Sequence, residues 1–125
     1  MKRILLSLGL VAFAAISVAC SPTPAAPVPS GPVVDGPTVV AKDLKFTSTT
    51  IELPADKNVT IHLDNQEAAP HNIAIYGDSG FSRKISIGEI VSSKKVDQVV
   101  PAQKAGTYFF RCDVHPDMKG EVVVK

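Results

Sequence analysis

Residues 38 to 125 are predicted to form an all-β domain, a sandwich or barrel of short strands. From Thr38 onward apolar residues recur at period two, turn residues divide the runs, and no stretch holds a helical period. At about 88 residues, such a domain is large enough for one small core.

The elements follow in order. Leu44 and Phe46 alternate with Asp43 and Lys45, and Ile51 and Leu53 flank Glu52. Val59, Ile61 and Leu63 alternate with Thr60, His62 and Asp64. Half-buried strands read this way. Pro54-Ala55-Asp56-Lys57-Asn58 is a turn between the second and third runs. Further strands are expected over His71 to Tyr76, Thr107 to Cys112 and Glu121 to Lys125, whereas Gly77 to Val100 shows no assignable pattern.

The N-terminus has a different character. Met1-Lys2-Arg3 is basic, Ile4 to Ala19 is an uncharged apolar run, and Ser17-Val18-Ala19 supplies small residues before a cut. Residues 1–19 therefore read as a signal peptide, the apolar run falling short of the roughly 20 residues a membrane-spanning helix needs. Ser17-Val18-Ala19-Cys20 resembles a bacterial lipoprotein processing box, which would leave Cys20 as an acylated N-terminus; ordinary signal cleavage at the same bond is the alternative. Residues 20–37 read as a Pro-rich linker, with six prolines between Ser21 and Pro37. In extended polyproline form it could hold a domain roughly 50 Å from its anchor. Export is expected, to a periplasm or an outer cell face, with the lipid at Cys20 tying a monomer to a membrane.

Without Lys2 and Arg3 the chain carries eleven basic and twelve acidic residues, scattered in sign. No basic stripe supports nucleic-acid binding. With Cys20 modified, Cys112 is the one thiol left in the exported chain, and no disulfide framework is available.

That thiol opens the most informative segment. Cys112, His115 and Met118 stand three residues apart, and Met118 is the only methionine besides the initiator. Soft sulfur donors beside imidazole favour copper, and one Cys, two His and a weak axial Met form the ligand list of blue-copper sites. A second histidine is then needed. His62 shares its face with Thr60 and Asp64, opposite the apolar set, and so faces solvent. His71 has the parity of Ile73 and Ile75 and points to the core, where it could complete the site or be a buried histidine with a backbone partner. Tyr108, Phe110 and Cys112 share one face of their strand, and Met118 has the parity of Val122 and Val124.

His71-Asn72 together with Tyr108 to Gly120, which contains Cys112-x-x-His115-x-x-Met118, resembles the cupredoxin family. The spacing is the short-loop form of amicyanin-like members, and plastocyanin-like members also carry the His-Asn pair. The resemblance covers most of residues 38 to 125. It implies a Greek-key β-sandwich, one copper ion passing between Cu(I) and Cu(II), and electron transfer between redox proteins rather than enzymatic catalysis. By the same resemblance His71, Cys112, His115 and Met118 are the metal ligands. Asn72 is implied to donate its amide to the Cys112 sulfur while its side chain ties the ligand loops. Val114 stands where some relatives have proline, and its N–H is expected to give a second bond to the sulfur. His115 is implied to be the exposed end of the site, rimmed by Ala68, Ala69, Pro70 and Pro116.

Other functions fit the sequence less well. A Cys112 nucleophile would lack a recognisable third group and leave Met118 unexplained. Multicopper enzymes need more than the three histidines present. Structural zinc accommodates thioether poorly. The reading kept beside electron transfer is a carrier that delivers copper outside the cytoplasm.

Overall fold

The computed structural model describes residues 30–125. The expected signal peptide, Cys20 and most of the linker lie outside the described residues. Nine strands form: β1 Val33–Lys42, β2 Lys45–Phe46, β3 Thr50–Leu53, β4 Asn58–Asn65, β5 Ala74–Tyr76, β6 Lys84–Ile87, β7 Lys95–Val100, β8 Gly106–Arg111 and β9 Lys119–Val124. They make two sheets, ordered β2-β1-β4-β7 and β3-β9-β8-β5-β6. Two pairs, β1 with β4 and β3 with β9, are parallel and the rest antiparallel, so the chain crosses repeatedly between sheets in a Greek-key β-sandwich.

Alternation places the core. Ile51 and Leu53 are buried while Thr50 and Glu52 are exposed, and Val59, Ile61 and Leu63 face inward from β4. The β4 residues meet Ile51, Leu53, Phe110, Val122 and Val124 of the other sheet, with the Phe46 and Phe110 rings 5.2 Å apart. The sandwich is thus held by interdigitating apolar faces of two half-amphipathic sheets.

Two expectations are revised. The linker was expected to run to Pro37, but the sandwich begins by Val33. Val33 to Asp35 pair with Asn58 to Thr60, the register then shifts, and Thr38 to Ala41 pair with His62 to Asn65. Gly36 and Pro37 occupy the irregularity, where a residue without an N–H costs no ladder bond. The second revision concerns residues 71–76. Only Ala74 to Tyr76 form a strand, and His71 makes an isolated bridge to Val91 through His71 N to Val91 O and Val91 N to His71 O, both 2.9 Å. All six residues from His71 to Tyr76 are buried, because β5 lies between β8 and β6 and its outer face is covered as well.

The unassigned stretch supplies β6 and β7. They edge different sheets and are joined by side chains: Ser86 Oγ donates to Val99 O at 3.1 Å, and Gln98 lies 2.7 Å from Ser86 Oγ. Polar residues facing this junction break the apolar pattern.

Candidate metal centre

Strand β8 ends at Arg111, and Cys112 follows it into the core with its side chain fully buried. The loop closes through Cys112 N to Met118 O at 2.8 Å and Met118 N to His115 O at 2.9 Å. Met118 is 4% exposed and leads into β9. His71, also fully buried, arrives from the bridge with Val91, while His115 is half-buried. Two loops at one end of the sandwich, one carrying His71 and the other Cys112, His115 and Met118, therefore converge on one point.

Cys112 Sγ lies 3.7 Å from His71 Nδ1 and 3.9 Å from His115 Nδ1, and the three donor atoms all fall within 4.8 Å of one another. The imidazole rings are 4.8 Å apart at 53°. At the bond lengths known for zinc, about 2.3 Å to thiolate and 2.0–2.1 Å to imidazole, a trigonal arrangement separates sulfur from nitrogen by roughly 3.8 Å. The two sulfur–nitrogen spacings match a metal ion held in this way. With the thioether of Met118 beside them, the donors suit one copper ion in a type 1 site rather than zinc.

Every residue expected to bind the metal is brought to this end of the molecule. His62 is not: it sits on the outer face of β4, its Nδ1 2.7 Å from Asp97 and its Nε2 2.9 Å from Asp35. Asn72 is 1% exposed; its Oδ1 accepts from Asp113 N at 2.9 Å and its Nδ2 donates to Gly88 O at 3.2 Å. Through Asp113 the side chain ties the His71 loop to the Cys112 loop. Cys112 Sγ itself meets the two imidazole nitrogens. Backbone bonds between Cys112, His115 and Met118 fix the loop, leaving Val114 on its outside with 38% exposure.

The sequence reading missed three residues around the site. Glu67 Oε1 lies 2.5 Å from His71 Nε2, and this bond holds its carboxyl below the ordinary carboxylate range. Its signal was an acid four residues before a candidate ligand, in a loop where spacing rules say little. Tyr76 and Arg111 both reach Asp113, the residue after the thiol.

Fold and donors together define a single-copper β-sandwich protein of the type 1 class. A family described as "Cupredoxin-like domain" matches residues 9–124, and the chain belongs to that family. It is 33% identical over 82 residues to Amicyanin-alpha of Methylorubrum extorquens, covering 66% of each chain. It is 30% identical over 87 residues to Amicyanin of Paracoccus denitrificans, covering 70% of this chain and 65% of that one. The chain spans just under two thirds of the length of these relatives. Among solved structures, auracyanin A, a "blue" copper protein from Chloroflexus aurantiacus, superposes with a TM-score of 0.66 at 21% identity over 75% of this chain and 100% of that one. Amicyanin from Paracoccus versutus gives 0.56 at 24% over 78% and 85%. At these identities the two structures speak for the fold.

Proposed function

We propose that the protein carries single electrons between redox proteins outside the cytoplasm. The observation that carries this is the spacing of Cys112 Sγ from two imidazole nitrogens, 3.7 and 3.9 Å, in a centre where only His115 among the ligating histidines reaches the surface. A copper ion held there supplies reversible one-electron exchange between Cu(I) and Cu(II). The chain's own residues do the rest. Cys112, His71 and Met118 are sealed from water, so the donor set changes little between the two charge states. Burial of three of four donors also favours retention of the ion over its delivery.

His115 presents the exposed ring edge for electron exchange. Ala68, Pro70 and Pro116 are exposed beside the ligands and supply a small apolar rim for docking. Ala69→Glu should then slow reaction with the physiological partner, and an unaltered rate would remove that face from the reading. The protein works as a monomer held at a membrane by acylated Cys20. Mass spectrometry of the membrane fraction should find acyl chains on Cys20, and Cys20→Ser should release the protein.

The deciding experiment is the visible spectrum of the Cu(II)-loaded protein. An intense blue thiolate band that vanishes in Cys112→Ser is expected, with copper retained over repeated reduction and oxidation. A pale complex would sink the site class, and ready loss of Cu(I) to an acceptor protein would favour delivery instead.

A further inference from the structure

We infer that Glu67 is a positioning residue of the copper site, fixing His71 with its hydrogen on Nε2 and its Nδ1 lone pair toward Cys112, and holding the reduction potential down. This rests on the copper reading for its second half only.

Glu67 Oε1 is 2.5 Å from His71 Nε2 and also accepts the Leu44 amide at 3.0 Å. An oxygen taking two such contacts, one from an obligatory donor, acts as an ionised acceptor, so the proton between it and the ring belongs to Nε2. A neutral imidazole has one protonated nitrogen, and the bond at one nitrogen decides the state of the other. Here the other is Nδ1, the atom 3.7 Å from the sulfur.

The surroundings are built to hold the carboxylate there. Glu67 N donates to Asn65 Oδ1 at 3.0 Å, and Glu67 O accepts from Ser93 N at 2.9 Å. Asn65, itself buried, anchors the loop through Ala69 O and Val91 O at 2.8 and 2.7 Å. On the far side Leu44 lies in the two-residue turn between β1 and β2, where Asp43 and Leu44 both have φ of 54°. Left-handed conformation is costly for a leucine, and strain of this kind collects around functional sites. In this chain the strained turn aims the Leu44 amide at the carboxylate. A turn on one sheet is thereby linked to a ligand of the metal through a single oxygen atom.

A carboxylate bonded to a ligating imidazole increases its donor strength. A stronger donor with negative charge behind it favours Cu(II) over Cu(I). Glu67→Gln keeps the length of the side chain and an oxygen for Leu44 while removing the charge. It should shift the redox equilibrium toward Cu(I) on the order of tenfold, about 59 mV for one electron.

Two measurements test the inference. Long-range nitrogen–proton NMR of the metal-free protein should find His71 as a single Nε2–H tautomer, and in Glu67→Ala that single form should be lost. Voltammetry should find the potential of Glu67→Gln raised with the blue colour intact. A wild-type Nδ1–H tautomer, or the Nε2–H form surviving in Glu67→Ala, overturns the positioning role. An unchanged or lowered potential in a blue Glu67→Gln protein overturns the electronic role. If wild type binds copper without colour, the copper reading and the electronic role fail together, while the metal-free tautomer still decides the positioning.

Discussion

The phenol of Tyr76 donates to Asp113 Oδ1 at 2.6 Å, and Asp113 is the residue that follows the metal-binding thiol. The same oxygen accepts from Arg111 Nε at 3.1 Å. The guanidinium lies 5.1 Å from the Tyr76 ring centre and 4.8 Å from that of Phe81, whose ring meets Tyr76 edge-on at 5.4 Å. Burial, then the Asp113 contact, raises the phenol above its ordinary pKa, so it is a donor at neutral pH. Because Asp113 N is bound by Asn72, this residue is fastened at both main chain and side chain.

Tyr76→Phe removes the hydroxyl and keeps the ring packing. A hydrogen bond to a charged group contributes about 1.5–3 kcal/mol, and Arg111 still neutralises Asp113, so a loss of about 1.5 kcal/mol is expected. The urea midpoint of the metal-free protein checks this. An unshifted midpoint would mean that Arg111 alone holds the carboxylate.

Asn72→Ala cuts the tie between the ligand loops at Asp113 N and also leaves Gly88 O, after β6, without its side-chain partner. Groups that orient metal ligands commonly contribute about 10–100-fold in affinity. Competition against a copper chelator should show a loss of that order. A variant with wild-type affinity would show that the loops hold their positions without the asparagine.

The parts of the molecule that were legible in the sequence are those where one face is wet and the other dry. In β3 and β4 every second residue is apolar, and the prediction of inward and outward residues, His62 included, matches the structure. The donors at 112, 115 and 118 were readable because a short loop keeps them close in space as well as in sequence. Where both faces are covered, parity loses its meaning: residues 71–76 are buried throughout, so alternation alone could not have distinguished His71 from Asn72. The edge strands β6 and β7 were hidden because Ser86 and Gln98 face each other across their junction. Val33 to Asp35 were hidden by the prolines on either side, Pro32 before the strand and Pro37 at its irregularity. Glu67 was hidden because its role depends on a turn more than twenty residues away.

His62 gives the protein a stability that depends on pH. Both ring nitrogens face carboxylates, Asp97 on β7 and Asp35 on β1, and both bonds can be made together only by the imidazolium. Asp64, on the same strand face, is paired with Lys95 at 3.2 Å. The bond to Asp97, then that to Asp35, raises the His62 pKa above its ordinary 6.5. A raised folded-state pKa means that the native state holds the proton more tightly than the unfolded chain. The contribution is therefore complete below about pH 6.5 and disappears as pH climbs through the raised value. Since both aspartates are largely exposed, about 0.5–1 kcal/mol is the expected size. Urea midpoints across pH 5.5 to 9 should fall over this range in wild type and lose that component of slope in His62→Gln. Identical profiles would dismiss the bridge as a contributor.

Gly120 decides between two opposing effects in β9. Its φ is not in the left-handed region, and there alanine usually stabilises by about 0.4–1 kcal/mol through the unfolded chain. A Cβ at this position, however, would lie 2.2 Å from Thr49 O and 2.6 Å from Phe110 Cε1. Thr49 O cannot easily withdraw, because it accepts the Glu121 amide at 2.9 Å just where β3 and β9 begin to pair. Phe110 is fully buried against Phe46 and has little room to move. Overpacking costs of about 1–3 kcal/mol exceed the entropic gain, so Gly120→Ala should lower stability by about 1–2 kcal/mol. The displaced strand starts at Lys119, directly after Met118, and the visible spectrum of the copper-loaded variant should shift with it. A stabilised variant with an unaltered spectrum would show that β9 gives way without disturbing the thioether.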